Sequence, residues 1–323
     1  MRIEAPGPGE LAERLRAREL TAAPAVVTLL EDRSKRAQAR ELLAALGPAA
    51  LGGEAPGQIV GMTGPPGVGK STLLGALAAR WRAGGRTVAV LAVDPSSKAS
   101  GGALLGDRIR IASDGVGGPE RFIRSMASRE RTGGLAPATR AAAVVLAVAF
   151  DVVVIETVGV GQSETDVADA TDTVVVIVQP GAGDSLQFLK AGVMEVPDIL
   201  VVSKADTGGP AQTTLNDARA ALQVLGAETA PVLAVSALPP GQGIDELEAA
   251  LANHQAQLNV PERRLQSRRS GAMADFVSEY GERGLDAVGG RRSAERLLIA
   301  QDPHLDGQSL VELLARAGGL PVD

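Results

Sequence analysis

No cysteine occurs among the 323 residues, so disulfides and thiolate metal sites are excluded. Histidine is almost as scarce. His254 and His304 are the only two, too few for a histidine-rich metal centre, and each is expected to serve packing or the surface. Aromatic residues make up 2% of the chain, which removes the stacking platforms that single-stranded nucleic acids need. The net charge of −6 implies no bulk attraction to nucleic acid or to anionic membranes. Long apolar runs are missing too. The longest, Ala141–Ile155, is broken by Asp151 and is shorter than the roughly 20 residues of a membrane span. No leader is visible at the start, where Met1–Leu20 carries charge throughout. A soluble cytoplasmic protein is the expectation, with no nucleic acid and no membrane among its partners.

What the chain does have is glycine in a particular place. Gly64-Pro65-Pro66-Gly67-Val68-Gly69-Lys70-Ser71-Thr72 fits the phosphate-binding pattern G-x-x-x-x-G-K-[ST]. An apolar run precedes it (Ile59, Val60, Met62) and a helix-forming stretch follows it (Leu73 to Arg80), which is the context this loop requires. Glycines let successive N–H groups turn inward onto phosphate oxygens, and the helix N-terminus adds its positive end. Lys70 is expected on the terminal phosphates and the Ser71 hydroxyl on Mg²⁺.

The rest of the chain alternates. Apolar runs at Ile59–Met62, Val88–Val93, Val152–Ile155, Val174–Val178, Ile199–Val202 and Val232–Val235 read as strands buried on both faces. Between them Ser71–Arg82, Pro119–Ser128, Pro137–Ala149, Pro210–Leu225 and Ile244–Gln257 read as helices. The fold class is therefore α/β, a P-loop NTPase with a doubly wound, mostly parallel sheet. Ligands of such sheets sit at the carboxyl ends of the strands. Three parts are expected: an N-terminal helical extension (1–57), a nucleotide-binding domain (58–258) and a C-terminal helical arm (259–323). The first part holds one or two amphipathic helices carried by Leu11, Leu15, Leu20, Val27 and Leu30. The last runs from a basic cluster (Arg263, Arg264, Arg268, Arg269), read as a solvated helix face, through an amphipathic stretch Met273–Tyr280 and a Gly/Arg segment Gly281–Arg292 to a helix Leu310–Ala317. It serves dimer or partner contact, or is a solvated tail packed on the sheet.

Acids stand at the ends of two strands. Glu156 follows Val152–Ile155 and precedes Gly159; it can hold the metal or its water, while the Gly159 N–H can meet the γ-phosphate and sense its loss. Asp94 ends the second strand, where it can reach Mg²⁺ or position water. Asp107 lies on a glycine-flanked segment and could join the metal in one state only. The run Ser203-Lys204-Ala205-Asp206 resembles the guanine-reading N-K-x-D motif of GTPases, with Ser in place of Asn. The Asp206 carboxylate accepts from guanine N1 and N2, which adenine cannot offer, and Lys204 lies along the base. Ser236-Ala237-Leu238 resembles the element whose backbone N–H meets the guanine oxygen.

Taken together, AVDPSSKASGGALLGDR (92–108), ETVGVGQSE (Glu156–Glu164) and GPPGVGKST (Gly64–Thr72) closely resemble the MeaB/ArgK-type GTPases, the family of the methylmalonic aciduria type A protein. The resemblance spans about residues 58–250. It implies a GTPase, slow unless stimulated by a partner, that binds GTP and GDP with Mg²⁺ and gates adenosylcobalamin loading of an acyl-CoA mutase, methylmalonyl-CoA mutase or a relative. Cobalamin would be met only through that partner, and a homodimer is implied. Lys70 and Ser71 then serve phosphate and Mg²⁺, and Asp94, Asp107 and Glu156 form the metal and switch set. Asp184–Asp198 matches an additional, partner-responsive switch, in which Lys190 is a partner-activated catalytic group; Gln162 could instead orient water. Two departures stand out, Ser203 and Pro197, the latter expected to end the switch helix early. The alternative is a P-loop ATPase or kinase of the type once assigned to ArgK in amino-acid transport. A nickel-insertion GTPase would require Cys/His clusters, and a non-catalytic nucleotide-binding module would have no use for Glu156 and Asp94.

Overall fold

The computed structural model describes residues 6–46, 55–94, 121–127, 135–157, 163–181 and 197–322. Contacts divide the chain into two compact units. One comprises Gln58–Leu135 and Asp151–Leu258; the other gathers Met1–Gly57, Ala136–Phe150 and Asn259–Asp323.

The first unit is built on a seven-stranded sheet: β1 (Gln58–Thr63), β2 (Val88–Asp94), β3 (Arg121–Ala127), β4 (Val152–Thr157), β5 (Thr173–Val178), β6 (Ile199–Val202) and β7 (Val232–Ala234). Its order is β3-β2-β4-β1-β5-β6-β7, and each of its pairings is parallel. The unbroken apolar runs have a simple cause, since both faces are covered. Because side chains alternate along a strand, Val60, Met62, Val152, Val154, Val175, Ile177 and Val201 share one face. They pack there with Leu73, Leu74, Leu77 and Trp81 of α4 (Lys70–Ala83) and Leu247 and Leu251 of α8 (Ile244–Gln257). Val174, Val176, Val178, Leu200 and Val202 point the other way, onto Ala211, Leu215, Ala218 and Leu222 of α7 (Gly209–Val224). The short α6 (Ser163–Ala168) precedes β5.

One expected helix is a strand. Within Pro119–Ser128, residues Arg121–Ala127 form β3, in register with β2 from Val88↔Arg121 to Asp94↔Ala127. An edge strand has one neighbour and needs no continuous apolar run. Arg121, Phe122, Ile123, Arg124 and Ser125 are accordingly half-buried, and the polar members disguise the strand.

In the second unit, the described residues of the N-terminal segment form three helices where one or two were expected: α1 (Pro8–Arg16), α2 (Ala23–Glu31) and α3 (Arg36–Leu46). They bury Leu11 and Leu15, Val26 and Val27, and Leu42 and Leu46 respectively. Asp32 accepts from the Ser34 N–H (3.0 Å) in the turn that separates the second from the third. With them belong α5 (Pro137–Leu146), α9 (Val260–Ala287), α10 (Arg291–Ile299) and α11 (Gly307–Ala317). The expected Gly281–Arg292 segment is largely helical. Helix α9 runs on to Ala287 past a break at Gly281 (φ 65°), and the turn falls at Gly289 and Gly290. Met273, Phe276, Leu285, Leu298, Leu310 and Leu314 form the core of this part.

The arginine cluster is not a solvated face either. Arg264 is buried and donates to the carbonyls of Ala55 (3.0 Å) and Gly57 (2.6 Å). Arg269 donates to the Ile299 carbonyl (3.1 Å) and Arg268 to that of Pro303. Burial, with the neighbouring Arg269 charge, lowers the Arg268 pKa to about 10. The guanidinium fork suits carbonyls that no helix or ladder amide reaches. Among the described residues no helix is long and apolar enough to cross a membrane.

Candidate functional site: a phosphate loop and a base-reading edge

Strand β1 delivers the chain to Gly64, whose backbone (φ 142°) lies so close to β5 that a Cβ would stand 2.1 Å from the Ile177 carbonyl oxygen. Gly67 (φ 78°) and Gly69 (φ 94°) take the other two left-handed turns, and α4 starts directly after. Those three positions are glycine because the loop needs positive φ there. Val68 plugs the loop into the core, at 1% exposed, while Pro66 and Gly67 stay exposed and Pro65 half-buried. The Lys70 ammonium folds back over the loop and donates to the carbonyls of Gly64 (2.7 Å) and Pro65 (3.0 Å). Ser71, in the first turn of α4, donates its hydroxyl to Glu156 Oε1 at 2.6 Å; Thr72 beside it is exposed. Lys70, Ser71 and Glu156 thus meet at the carboxyl ends of β1 and β4. Behind them Thr157 donates its hydroxyl to that of Thr63 (3.0 Å), a contact absent from the sequence expectations.

The second group lies across β5, at the ends of β6 and β7. The Ser203 N–H and hydroxyl both donate to the Val178 carbonyl, at 2.8 and 3.0 Å. Lys204 adopts a left-handed conformation (φ 54°) and donates to Gln179 Oε1 at 2.6 Å. Asp206 accepts from the Ser236 hydroxyl at 2.6 Å, and the same oxygen of Ser236 accepts from the Leu238 N–H at 3.3 Å. Ser236 is buried and Ala237 half-buried, whereas Leu238 is exposed. The sequence reading gave Ser236 a backbone role alone; its hydroxyl is also the partner of Asp206. Gln179 was likewise missed, because only the β5–β6 pairing brings it to Lys204.

Asp94 closes β2, at the same end of the sheet, and its side chain lies outside the described residues, as do Asp107, Gly159, Gln162, Lys190 and the 184–196 part of the additional switch. Pro197, after that part, is buried, and Asp198 accepts from the Val174 N–H at 2.7 Å. Neither histidine joins the site. His254 Nδ1 is 2.8 Å from Thr173 Oγ1, and His304 Nδ1 is 3.0 Å from Asp302 Oδ1. Among the described residues no three His, Cys, Asp or Glu side chains gather as a metal centre.

The chain is similar to several known proteins. A crystal structure of a LAO/AO transport system kinase superposes with a TM-score of 0.65 at 28% identity, over 96% of each chain. GTPase ArgK of Escherichia coli is 39% identical over 273 residues, 80% of either chain. A relative from Pyrococcus abyssi, also named as a GTPase, is 49% identical over 201 residues, 62% of this chain and 60% of its own length. This chain therefore spans about three-fifths of the length of that relative. The mitochondrial methylmalonic aciduria type A homolog of Caenorhabditis elegans is 43% identical over 149 residues, 46% of this chain and 37% of its own. A family model described as methylmalonyl-CoA mutase-associated GTPase MeaB matches residues 23–285, and with that match the chain belongs to the MeaB family.

Proposed function

We propose that this chain binds and slowly hydrolyses GTP, and that the nucleotide state governs its work as a chaperone of a cobalamin-dependent acyl-CoA mutase. The observation that carries the nucleotide reading is the pairing of two groups along one edge of the sheet. Lys70, Ser71 and Glu156 stand at β1 and β4, and Asp206, held by Ser236, stands at β6 and β7. A nucleotide laid across β5 would set its phosphates in the loop and its base against the Asp206 carboxylate. That carboxylate accepts from guanine and rejects adenine for want of donors. Gly64 to Thr72 would wrap the phosphates, with Gly159 at the terminal one, and Lys204 with Ser236, Ala237 and Leu238 would flank the base. Ser203 would support the base from below.

The Ser71 hydroxyl and Glu156 carboxylate, side by side, suit Mg²⁺, which takes hard oxygen ligands and completes its shell with phosphate and water. When bound, the ion would neutralise charge building up on the phosphates. Asp94 and Asp107 are the further acids proposed for this role. Such a site turns over slowly until a partner supplies stabilising charge, and Lys190 in the Asp184–Asp198 switch is the group proposed to respond. The C-terminal helices, 259–323, are the proposed surface for mutase contact and self-association.

Membership of the MeaB family and the likeness to a methylmalonic aciduria type A homolog support a mutase as the partner. The test is GTP turnover measured alone and with purified methylmalonyl-CoA mutase. Stimulation of about tenfold or more is expected. An unchanged rate, with no complex on size exclusion, would remove the mutase from the proposal.

A further inference from the structure

Strand β1 carries more than the phosphate loop. Val60 and Met62 face α4, as do Val152 and Val154 of β4. Glu156 continues the β4 series and meets Ser71 on α4. Thr63 and Thr157 belong to the alternate series, so their contact lies on the opposite face from the Glu156 carboxylate. The β1–β4 ladder ends one residue earlier, at Met62↔Glu156. Just beyond it β1 turns into Gly64 and the loop. The hydroxyl contact of 3.0 Å therefore prolongs the pairing past the last backbone rung, where a ladder would otherwise fray. Both threonines are 1% exposed, so water does not compete for either hydroxyl.

The same face of β1 holds the far side of the intervening segment. At Gly61 a Cβ would come within 2.8 Å of Val167 Cγ2 in α6 and 2.9 Å of Thr171 Oγ1, so glycine is what lets them seat on β1. One strand thus fixes the phosphate loop, the residue after Glu156 and the end of α6.

We propose that Thr157, through its hydroxyl contact with Thr63, is a positioning residue that keeps the Glu156 carboxylate in register with Ser71 and the phosphate loop. Glu156 and Thr157 are consecutive and point to opposite faces. A twist of their shared peptide that released Thr157 would swing the carboxylate off Ser71. The inference rests on the GTP-hydrolysing reading and names a residue outside the nucleotide and metal set proposed above.

Its test is Thr157→Val, nearly the same shape without the hydroxyl, with Thr157→Ser, Thr63→Val and the double valine variant beside it. With Mg·GTP, kcat falls about tenfold in Thr157→Val because the carboxylate is displaced. The Mg²⁺ concentration for half-maximal turnover rises with that loss. Metal-free GDP affinity, set by the loop and the base reader, stays within about twofold. Thr157→Ser recovers the rate. Thr63→Val reproduces the defect, and the double variant is no worse than either single one, since all three remove one contact. Thr63→Val carries the test if Thr157→Val does not fold. Wild-type kcat and Mg²⁺ dependence in either valine variant would overturn the positioning role. So would a serine variant as impaired as valine, or metal-free GDP binding weakened in proportion to kcat. A wild-type chain that binds GDP but never turns over GTP would instead overturn the hydrolytic reading, and the positioning role with it.

Discussion

On the proposed reading, Asp206 and Ser236 divide the work of base recognition. The serine hydroxyl holds one carboxylate oxygen at 2.6 Å, fixing the plane in which the carboxylate presents itself to a base. On this account Asp206→Asn exchanges an acceptor for a donor and moves preference from guanosine to xanthosine nucleotides. GDP affinity should fall by about a hundredfold or more, as when a buried polar group loses its match. Competition binding with GDP and xanthosine diphosphate checks this, and unchanged GDP binding would remove Asp206 as the reader. At this scale the loop was legible in the sequence because glycine spacing encodes backbone shape. Gly64, Gly67 and Gly69 each take the positive φ that their spacing suggested. The hydroxyl partners were not legible. Thr63 and Thr157 are 94 residues apart, and only the adjacency of β1 and β4 makes them neighbours. Ser203 stood out as a departure from the asparagine pattern, but its attachment to the end of β5 depends on the strand order.

Among the elements, α9 shows how a polar residue can be structural. Its Arg264 holds the Ala55 and Gly57 carbonyls just before β1 begins. Gly57 is crowded as well: a Cβ there would stand 2.1 Å from the Phe150 carbonyl oxygen. Arg264→Met keeps much of the buried side-chain volume while leaving two carbonyls without that donor. The expected cost is about 2 to 4 kcal/mol of unfolding free energy, read from urea denaturation with an unchanged m-value. A loss under about 0.5 kcal/mol, the range of ordinary surface substitutions, would show that these hydrogen bonds matter little. From the sequence, clustered arginines look like a solvated face, because nothing local reveals carbonyls some 200 residues away. Five of the six apolar strands announced themselves through burial on both faces, while β7, the other edge, is apolar but only half-buried. The β3 edge did not, since a half-buried strand tolerates Arg121 and Arg124.

For the molecule as a whole, the chain is used twice. Two stretches, Gln58–Leu135 and Asp151–Leu258, supply the sheet and the proposed nucleotide site, while three others supply the helical unit. The middle stretch, Ala136–Phe150, clusters with the terminal segments although it lies between two sheet strands in the sequence. Reading along the chain could not find that grouping, which arises from packing between distant segments. The alternation of buried strands and helices did announce the parallel sheet, and Gly64, Gly67, Gly69, Glu156 and Asp206 fall at its carboxyl edge. The central claim is guanine recognition on that edge despite Ser203. Calorimetric titration with Mg·GDP and Mg·ADP under identical conditions tests it most directly. The account predicts at least about a tenfold preference for GDP, or 1.4 kcal/mol; equal binding, or a preference for ADP, would contradict it.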